Sequence, residues 1–523
     1  MSSTGSKCNC HHEEAAMNRN KKDGLWGFLN NDFFKIFIEL RLSYLPPLMV
    51  YFAAGVSGFT GIVESFYIKD TLGVSPSFLA NLGFWAGLPW AMKVPLGHLV
   101  DLYWRWKSLG VYFGALLMGA SLAIMIGLTG EPAFMAEFLP LETWYVISAL
   151  LGPIGYVFQD VVADAMTVEA IPPNRDDGSP WTDAERQRMH VTVQTLGRVA
   201  IVGGGALVAG AGGWLAGILS YVWMYRLAMV IPVISVSGVC LHRLLLARSP
   251  VIRAPLPETP IKASRSILGG GAVFFILSLS FGLSGLEYKE ETIFIFSLAI
   301  ILYLMQQLLQ SVSSVKRREL CAIAAIIFIY RAMPGFGAGA SWWQIDVLGF
   351  DESFFGSLRQ ISALLVIIGM LGLRAWMARR PVPYLIVFVS IYGTFMALPY
   401  IGMYYGLHEW TSRYLGFGAR TIAVVDTMAD SPLGQLVMIP MLAWIAKEAP
   451  MDQKATYFAV MAAFTNLALS ASQLATKYVN QIYTVGRGNY DELGILMISV
   501  TLVSLIVPLL SVRLLAPKPG EGK

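Results

Sequence analysis

Long apolar blocks separated by short polar stretches run through most of the 523-residue chain. The blocks match the ~20 residues that a helix needs to cross the hydrocarbon of a bilayer. Hydrophobic residues make up 55% of the chain and charged residues only 14%, where a soluble domain has ~25% charged residues. The pattern therefore predicts an all-α polytopic membrane protein and excludes a soluble globular domain.

The blocks predict fourteen membrane spans, with both ends of the chain in the cytoplasm. The predicted spans are 45–68, 77–100, 109–128, 144–168, 191–215, 227–246, 267–286, 292–312, 321–347, 353–377, 382–405, 416–446, 455–477 and 493–515. This topology places most of the 38 Lys and Arg residues on the cytoplasmic side, as the positive-inside rule requires. Twelve spans are the alternative, if the pair at 267–312 does not cross the membrane.

The spans divide the chain into two six-helix halves with an additional pair between them. The predicted units are a cytoplasmic tail with an interfacial helix at 1–43, a first half at 44–247, a linker at 248–265, the additional pair at 266–319, a second half at 320–515 and a tail at 516–523. Cys8, Cys10, His11 and His12 lie in the first tail without a second ligand cluster. We therefore predict no metal site and no cofactor.

An internal repeat supports the two halves. Residues 67–73, YIKDTLG, match residues 343–349, WQIDVLG, and Ser77 and Phe78 match Ser353 and Phe354 at the same offset of 276 residues. Two related halves of six helices indicate a transporter of the major facilitator superfamily. In such transporters the substrate site lies near mid-membrane between the halves.

The fourth predicted span carries two acids that a membrane helix should avoid. Asp160 and Asp164 are four residues apart and therefore share one helix face with Tyr156 and Thr167. Acids inside a membrane normally face a bundle interior or a water-filled path and mark substrate or proton routes. We interpret them as candidate substrate or proton sites, with a structural ion pair as the alternative.

Other polar residues within the spans are candidates for the same site, because buried charges need partners of opposite sign. They are Lys93, Arg198, Gln194, Glu64, Asp426, Asp430 and Asn466, with Trp90 as a candidate for stacking on an aromatic substrate. Asp426 and Asp430 repeat the four-residue spacing, and the following Pro432 predicts a break in their helix.

Three further patterns predict structure. Gly97, Asp101 and Arg105 resemble the loop signature of the major facilitator superfamily, and Glu169 is the predicted partner of Arg105 in this gating motif. The glycines between 203 and 213 predict close helix packing rather than a phosphate loop. Trp342 and Trp343 are expected at the membrane surface as interface anchors.

Several motifs together resemble the folate-biopterin transporter family. They are FYIKD at 66–70, LPWAMK at 88–93, PLG at 95–97, DVVADAMTVE at 160–169, QTL at 194–196 and MIP at 438–440. The resemblance implies transport of folates or pterins. Val94, Arg198 and the segment 102–104 depart from the family pattern. The muropeptide permease family, which shares the Gln-Asp pair of the fourth span, is the alternative.

The chemistry of the candidates fits this substrate class. A carboxylate can hold the amide and amino edge of a pterin through two parallel hydrogen bonds, while Lys or Arg suits the carboxylates of a folate tail. Desolvated acids also suit proton coupling. We therefore expect a secondary transporter in the inner or plasma membrane, with a folate or pterin, protons and the lipid bilayer as partners.

Other classes of protein fit the chain less well. The sequence has no nucleotide-binding loop and no large soluble domain, so an ATP-driven pump, an enzyme or a nucleic-acid-binding protein is not expected. A non-transporting assembly factor on the same fold is the alternative from another class, because a fold alone does not decide function. Ionisable residues in both halves favour transport over this alternative.

The basic cluster at 316–318 and the linker at 248–265 should face the cytoplasm if the pair between them spans the membrane twice. A topology reporter fused after Leu320 should therefore read cytoplasmic. A reading on the opposite side would contradict the fourteen-span topology.

Overall fold

A computed structural model describes residues 40–171, 175, 179–248, 265–284, 286–373, 376–377, 379–434, 436–438, 440–441, 444–445 and 454–516. Within these ranges the chain forms helices and no β-strand. The predicted interfacial helix at 25–43 and the cysteines and histidines of the first tail lie wholly or mostly outside the described residues, as does most of the linker at 248–265.

The helices of the first half are α1 (Leu45–Val56), α2 (Gly61–Thr71), α3 (Pro76–Gly87), α4 (Lys93–Leu102), α5 (Ser108–Gly130), α6 (Pro132–Ala136), α7 (Leu141–Glu169), α8 (Asp183–Ala216), α9 (Tyr221–Ala228) and α10 (Val230–Arg248). The additional pair consists of α11 (Arg265–Leu283) and α12 (Lys289–Leu308). The second half contains α13 (Ser314–Arg331), α14 (Ala338–Asp346), α15 (Glu352–Gly372), α16 (Val382–Tyr404), α17 (Leu407–Leu415), α18 (Ala419–Asp430), α19 (Lys454–Ile482) and α20 (Leu493–Leu515).

Nine helical segments among the described residues are long and apolar enough to cross a membrane. They are Leu42–Thr71, Ser108–Gly130, Leu141–Glu169, Thr192–Ala216, Tyr221–Ala247, Lys289–Gln307, Glu352–Met370, Val382–Tyr404 and Leu493–Leu515. A shorter apolar helix covers Leu268–Gly282. These segments confirm a multi-pass helical membrane protein, while the count of fourteen spans stays a prediction.

Several predicted spans are interrupted by short 3₁₀ turns or by irregular backbone. The second span consists of α3 and α4 joined by the 3₁₀ segment Leu88–Met92, which contains Pro89. The predicted break beyond Asp430 is confirmed, because α18 ends there and a 3₁₀ turn covers Ser431–Leu433. Proline lacks the backbone N–H that continues an α-helix, which explains both interruptions.

The internal repeat is visible in the helix starts as well as in the sequence. The Phe78 N–H donates to the Ser75 side chain at 3.1 Å, which caps α3. The Phe354 N–H donates to the Asp351 side chain at 2.8 Å, which caps α15. Such caps satisfy the free N–H groups at a helix start. The two caps are related by the same offset as the repeated motifs.

The two halves meet most extensively along two pairs of helices, α3 with α19 and α8 with α15. At the second crossing, a Cβ atom on Gly213 would lie 2.3 Å from the Glu352 carbonyl oxygen and 2.5 Å from the Gly356 Cα. Only glycine permits this backbone approach. The prediction that the glycines of the fifth span serve helix packing is therefore confirmed at this position.

The additional pair contacts both halves through two acids at the start of α12. Glu290 accepts hydrogen bonds at 3.1 Å from Asn81 and from Trp85, both on α3. The Lys477 ammonium on α19 lies 3.3 Å from Glu290 and 3.2 Å from Glu291. The carboxylates thus connect the first half, the additional pair and the second half at one end of the bundle.

Trp342 and Trp343 are not surface anchors, and this expectation was wrong. Their exposed fractions are 2% and 3%. Trp342 packs in a cluster with residues of the first half, whereas Trp343 packs against Tyr400 and Tyr404 of α16. Helix packing around α14 covers both rings, and the sequence pattern of an apolar block does not distinguish a lipid-facing ring from a helix-facing one.

The repeated motif itself joins the two halves at their predicted outer end. The Lys69 ammonium lies 2.5 Å from the Asp346 carboxylate and 3.3 Å from that of Asp70. Tyr490 donates a hydrogen bond to Asp346, and Arg487 donates to the Leu72 carbonyl oxygen at 2.7 Å. Because Asp70 and Asp346 occupy equivalent repeat positions, Lys69 is held by the same motif from both halves. We call these contacts the outer lock.

The outer lock predicts a charge-swap result. Lys69→Asp places three acids together, and Asp346→Lys places two cations together, so each single variant should lower thermal stability and transport. The double variant should recover most of the loss, with a coupling of about 0.5–3 kcal/mol between contacting residues. Thermal melting of the purified single and double variants measures this coupling. A double variant no better than the sum of the singles would contradict the lock.

Candidate substrate and proton site

Helix α7 carries the two central acids and packs closely on α5. A Cβ on Gly155 would lie 2.6 Å from the Gly114 carbonyl oxygen, and a Cβ on Gly114 would lie 2.5 Å from that of Gly155. The helix continues without interruption through Pro153. Asp160 and Asp164 therefore lie about one turn apart on one continuous helix, as the spacing predicts.

Lys93 provides the positive charge for both acids. It begins α4, directly after the 3₁₀ turn that Pro89 introduces. Its ammonium forms an ion pair with Asp160 and lies 3.1 Å from the Asp164 Oδ2. The Asp160 side chain is 15% exposed and that of Asp164 47%. We call these three residues the charge triad, which contains two carboxylates and one ammonium.

Two further helices complete the surroundings of the charge triad. The Tyr51 hydroxyl on α1 donates to the Asp164 Oδ1 at 2.5 Å. On α8, Gln194 donates to the Thr167 Oγ1 at 2.9 Å. Tyr51 was not a candidate from the sequence, because a tyrosine in an apolar span has no pattern that distinguishes it from a packing residue.

Arg198 lies beside the charge triad without joining it. It lines a cavity of about 10 Å³ together with Tyr51, Asp160, Asp164 and Gln194. Such a volume holds about one water molecule and cannot hold a pterin. Within the described part of the chain, Arg198 has no carboxylate within 4.0 Å. The small cavity between Arg198 and the charge triad therefore leaves no room for a substrate in this conformation.

Glu64 lies in a separate and larger cavity of about 450 Å³. Its carboxylate accepts a hydrogen bond of 2.9 Å from the Tyr145 hydroxyl, and Tyr156 and Tyr225 also line the space. We call this space the first-half cavity. Tyr145 and Tyr156 belong to α7, so one helix lines this cavity and carries the two acids of the charge triad.

The acids of the second half occupy α18. One Asp426 oxygen is buried and lacks a hydrogen-bond partner among the described residues. Neither Asp426 nor Asp430 has a cation within 4.0 Å in that part of the chain. Among the described residues these acids form no ion pair with Lys93, and no hydrogen bond joins Asn466 on α19 to the charge triad. Their functional roles stay predictions.

Glu169 of the gating motif contacts two side chains that the sequence did not predict as its partners. Glu169, at the end of α7, contacts the Lys107 ammonium at 2.5 Å and the His242 Nε2 at 3.2 Å. Burial lowers the pKa of the Lys107 ammonium from its ordinary value, and the Glu169 carboxylate opposes this shift. Gly97 lies in α4, and the side chains of Asp101 and Arg105 are not among those that the structure describes. The pairing of Glu169 with Arg105 stays a prediction.

Trp90 lies in the 3₁₀ turn that precedes Lys93 and is half-buried. It is close to the charge triad along the chain, because only two residues separate it from Lys93. A stacking role on an aromatic substrate stays a prediction.

The helical architecture is that of the major facilitator fold, as comparison with solved structures shows. A crystal structure of the peptide transporter POT with alafosfalin matches with a TM-score of 0.58 and 14% identity, over 90% of this chain and 94% of that chain. A POT family transporter with 5-aminolevulinic acid matches with a TM-score of 0.60 and 13% identity, over 92% and 96%. The nucleoside transporter NupG matches with a TM-score of 0.56 and 10% identity, over 90% and 99%.

Sequence comparison gives the family. Residues 54–520 match the BT1 family, and the chain belongs to it. The folate-biopterin transporter of Synechocystis sp. (strain ATCC 27184 / PCC 6803 / Kazusa) is 22% identical over 469 residues, which cover 89% of this chain and 80% of that protein. The resemblance inferred from the sequence motifs is confirmed.

The charge triad predicts how substitutions combine. Lys93→Met leaves two carboxylates without their cation and should cost about 3–5 kcal/mol of stability, seen as lost folded yield and a lower melting temperature. The Asp160→Asn variant alone should fold, because the ion pair between Lys93 and Asp164 remains. Adding Asp160→Asn to Lys93→Met should recover part of the loss. A Lys93→Met variant as stable as the wild type would contradict this assignment.

Proposed function

We propose that this protein is a secondary active transporter of folates or pterins that is coupled to protons and works by alternating access. The observation that carries the proposal is the charge triad, in which two carboxylates share one ammonium. A proton can bind either carboxylate while the other still balances Lys93. The charge triad can therefore change its protonation state without leaving Lys93 unpaired.

The first-half cavity supports the proposed substrate class. Pockets for small organic ligands have volumes of about 300–1,000 Å³ and a few convergent polar groups, and this cavity has about 450 Å³. Glu64 offers the carboxylate that matches the amide and amino edge of a pterin. Tyr145 and Tyr225 offer aromatic surface beside it. The relative in Synechocystis is named for folate and biopterin, which agrees with this chemistry.

The position of α7 suggests how substrate and proton binding are linked. Tyr156 lines the first-half cavity, and Asp160 follows it by about one helical turn. Any movement of α7 that accompanies substrate binding would also change the distances from Asp160 and Asp164 on α7 to Lys93 on α4. Protonation of Asp160 or Asp164 would thus favour one arrangement of these helices, which is the requirement for coupling.

The charge triad also changes the role that we assign to Lys93. Two carboxylates already engage its ammonium, so we propose that it balances the proton site rather than holding a substrate carboxylate. Gln194 and Arg198 border the same site and are proposed to stabilise its charged form. Asp426, Asp430 and Asn466 stay candidates for the second half. We further propose that both termini are cytoplasmic and that the membrane is the inner or plasma membrane.

Uptake assays separate this function from the alternatives. Cells that express the protein should accumulate labelled folate or biopterin, and a proton uncoupler should abolish the accumulation. Accumulation of anhydro-muropeptide instead would favour a permease of that class. Absence of uptake for all three compounds by a correctly inserted protein would favour a non-transporting assembly factor.

Proton coupling predicts a defect confined to accumulation. Asp160→Asn or Asp164→Asn keeps the size of the side chain and much of its hydrogen bonding but removes the titration. At one of the two positions, counterflow exchange in liposomes should persist while uptake driven by a proton gradient falls by about tenfold or more. Tyr51→Phe is the matched control, because it removes one hydrogen bond to Asp164 and keeps both acids.

Melting temperature and folded yield should be measured for the same variants. If both Asn variants fold well and remain fully proton-coupled, the charge triad is not the coupling site. Glu64 and the pair Asp426 and Asp430 would then be tested in the same way.

A further inference from the structure

The span that opens the second half is broken in its middle. Helix α13 ends at Arg331 and α14 begins at Ala338, with Pro334 and Gly335 between them. Gly337 has a φ of +79°, a backbone conformation that favours glycine. Irregular backbone at membrane depth is tolerated where it is buried in protein or lines a cavity. Broken helices of this kind form substrate sites in transporters.

Helix α19 satisfies the exposed backbone of the break. The Gly335 N–H donates to the Thr476 Oγ1 at 2.8 Å, and the Ser472 hydroxyl donates to the Met333 carbonyl oxygen at 2.6 Å. Ser472 and Thr476 are four residues apart and therefore face the break from one side of α19. The break is a defined structure with its own hydrogen-bonding partners.

The break lines a cavity of about 500 Å³. Arg331 and Tyr330 lie at the end of α13, Thr394 comes from α16, and Thr501 comes from α20. We call this space the second-half cavity. Its volume falls within the range of pockets that hold small organic molecules.

Arg331 is a cation without an acidic partner in this cavity. Its Nε donates to the Thr465 carbonyl oxygen at 3.1 Å, and its Nη1 lies 3.3 Å from the Met438 sulfur. No carboxylate lies within 4.0 Å among the residues that the structure describes. A guanidinium at membrane depth is costly unless an anion compensates it, and its planar donors match a carboxylate through two parallel hydrogen bonds.

The internal repeat relates this cavity to the first-half cavity. The offset of 276 residues places the 3₁₀ turn Ser57–Thr60 opposite the break at Met333 to Phe336, and Gly61 opposite Gly337. The distortion of the first span lines the cavity that contains Glu64. The duplicated fold therefore has a cavity with the Glu64 carboxylate in one half and a cavity with the Arg331 guanidinium in the other.

We propose that the second-half cavity binds the carboxylate end of the transported substrate through Arg331. The proposal rests on the proposed transport of folates and pterins and names the group that recognises the glutamate tail. A pterin without this tail would use the first-half cavity alone. The guanidinium would then discriminate between the two substrates.

The first test compares folate with biopterin in uptake by Arg331→Gln. Loss of a charge-assisted hydrogen bond should weaken folate uptake at low concentration by about tenfold or more, while biopterin uptake changes by less than about threefold. Equal loss of both in a folded variant would overturn the proposal, because Arg331 would then be structural. Unchanged uptake of both would overturn it as well. If Arg198→Gln and not Arg331→Gln selectively reduced folate uptake, the proposal would also be overturned, because the substrate carboxylate would then bind beside the charge triad.

A second variant tests the cavity without changing Arg331. A Cβ on Gly393, which lines the cavity, meets no atom within 4 Å. Gly393→Leu should therefore fill the space without a clash and reduce folate uptake selectively. Gly119→Leu is the matched control, because a Cβ there also meets no atom within 4 Å and Gly119 lies within α5. Normal folate uptake by a folded Gly393→Leu variant would overturn the proposal.

A binding measurement separates this proposal from the proposed function. The probe is p-aminobenzoylglutamate, which carries the carboxylates but no pterin, and the measurement is thermal stabilisation of the purified protein. Wild type should be stabilised and Arg331→Gln should not. If the wild type transports neither folate nor biopterin, the proposed function fails, while probe binding still decides the role of Arg331. Equal stabilisation of both proteins would overturn that role.

Discussion

Charge compensation inside the membrane is the constraint on which the candidate site depends. An isolated charge in hydrocarbon is costly, so each ionised side chain at membrane depth needs a partner. Lys93 meets this requirement with two acids from a neighbouring helix. The excess of one acid is the chemically useful feature, because the proposed proton can neutralise it. Tyr51 adds a hydrogen bond that holds Asp164 in place.

Interrupted helices place these charges and cavities beside irregular backbone. Pro89 produces the 3₁₀ turn that ends at Lys93, and Pro334 lies in the break that begins after Arg331. Free backbone groups at such breaks require local partners, which Ser472 and Thr476 provide for the second half. The same residues that interrupt the helices therefore open space beside the backbone. This explains why both cavities lie next to distorted parts of equivalent spans.

The repeat makes the two halves similar in backbone, but the polar side chains that line their cavities differ. At their predicted outer end the repeated motif is used symmetrically, because Lys69 contacts the equivalent acids Asp70 and Asp346. In the cavities the use is asymmetric, with Glu64 on one side and Arg331 on the other. A duplicated scaffold with opposite charges can bind a substrate that has both a hydrogen-bond donor edge and carboxylates.

The sequence by itself determined the membrane class, the two-half architecture, the family and the shared face of Asp160 and Asp164. These features follow from local patterns, namely block length, repeat spacing, motif identity and helical periodicity. The tertiary structure decided which helices meet: that Lys93 takes both acids, that Tyr51 joins them, that Lys107 and His242 contact Glu169, and that Trp342 and Trp343 are buried. Periodicity indicates the face on which a side chain lies but not the neighbour that covers it, because that neighbour comes from a distant part of the chain and is selected by packing.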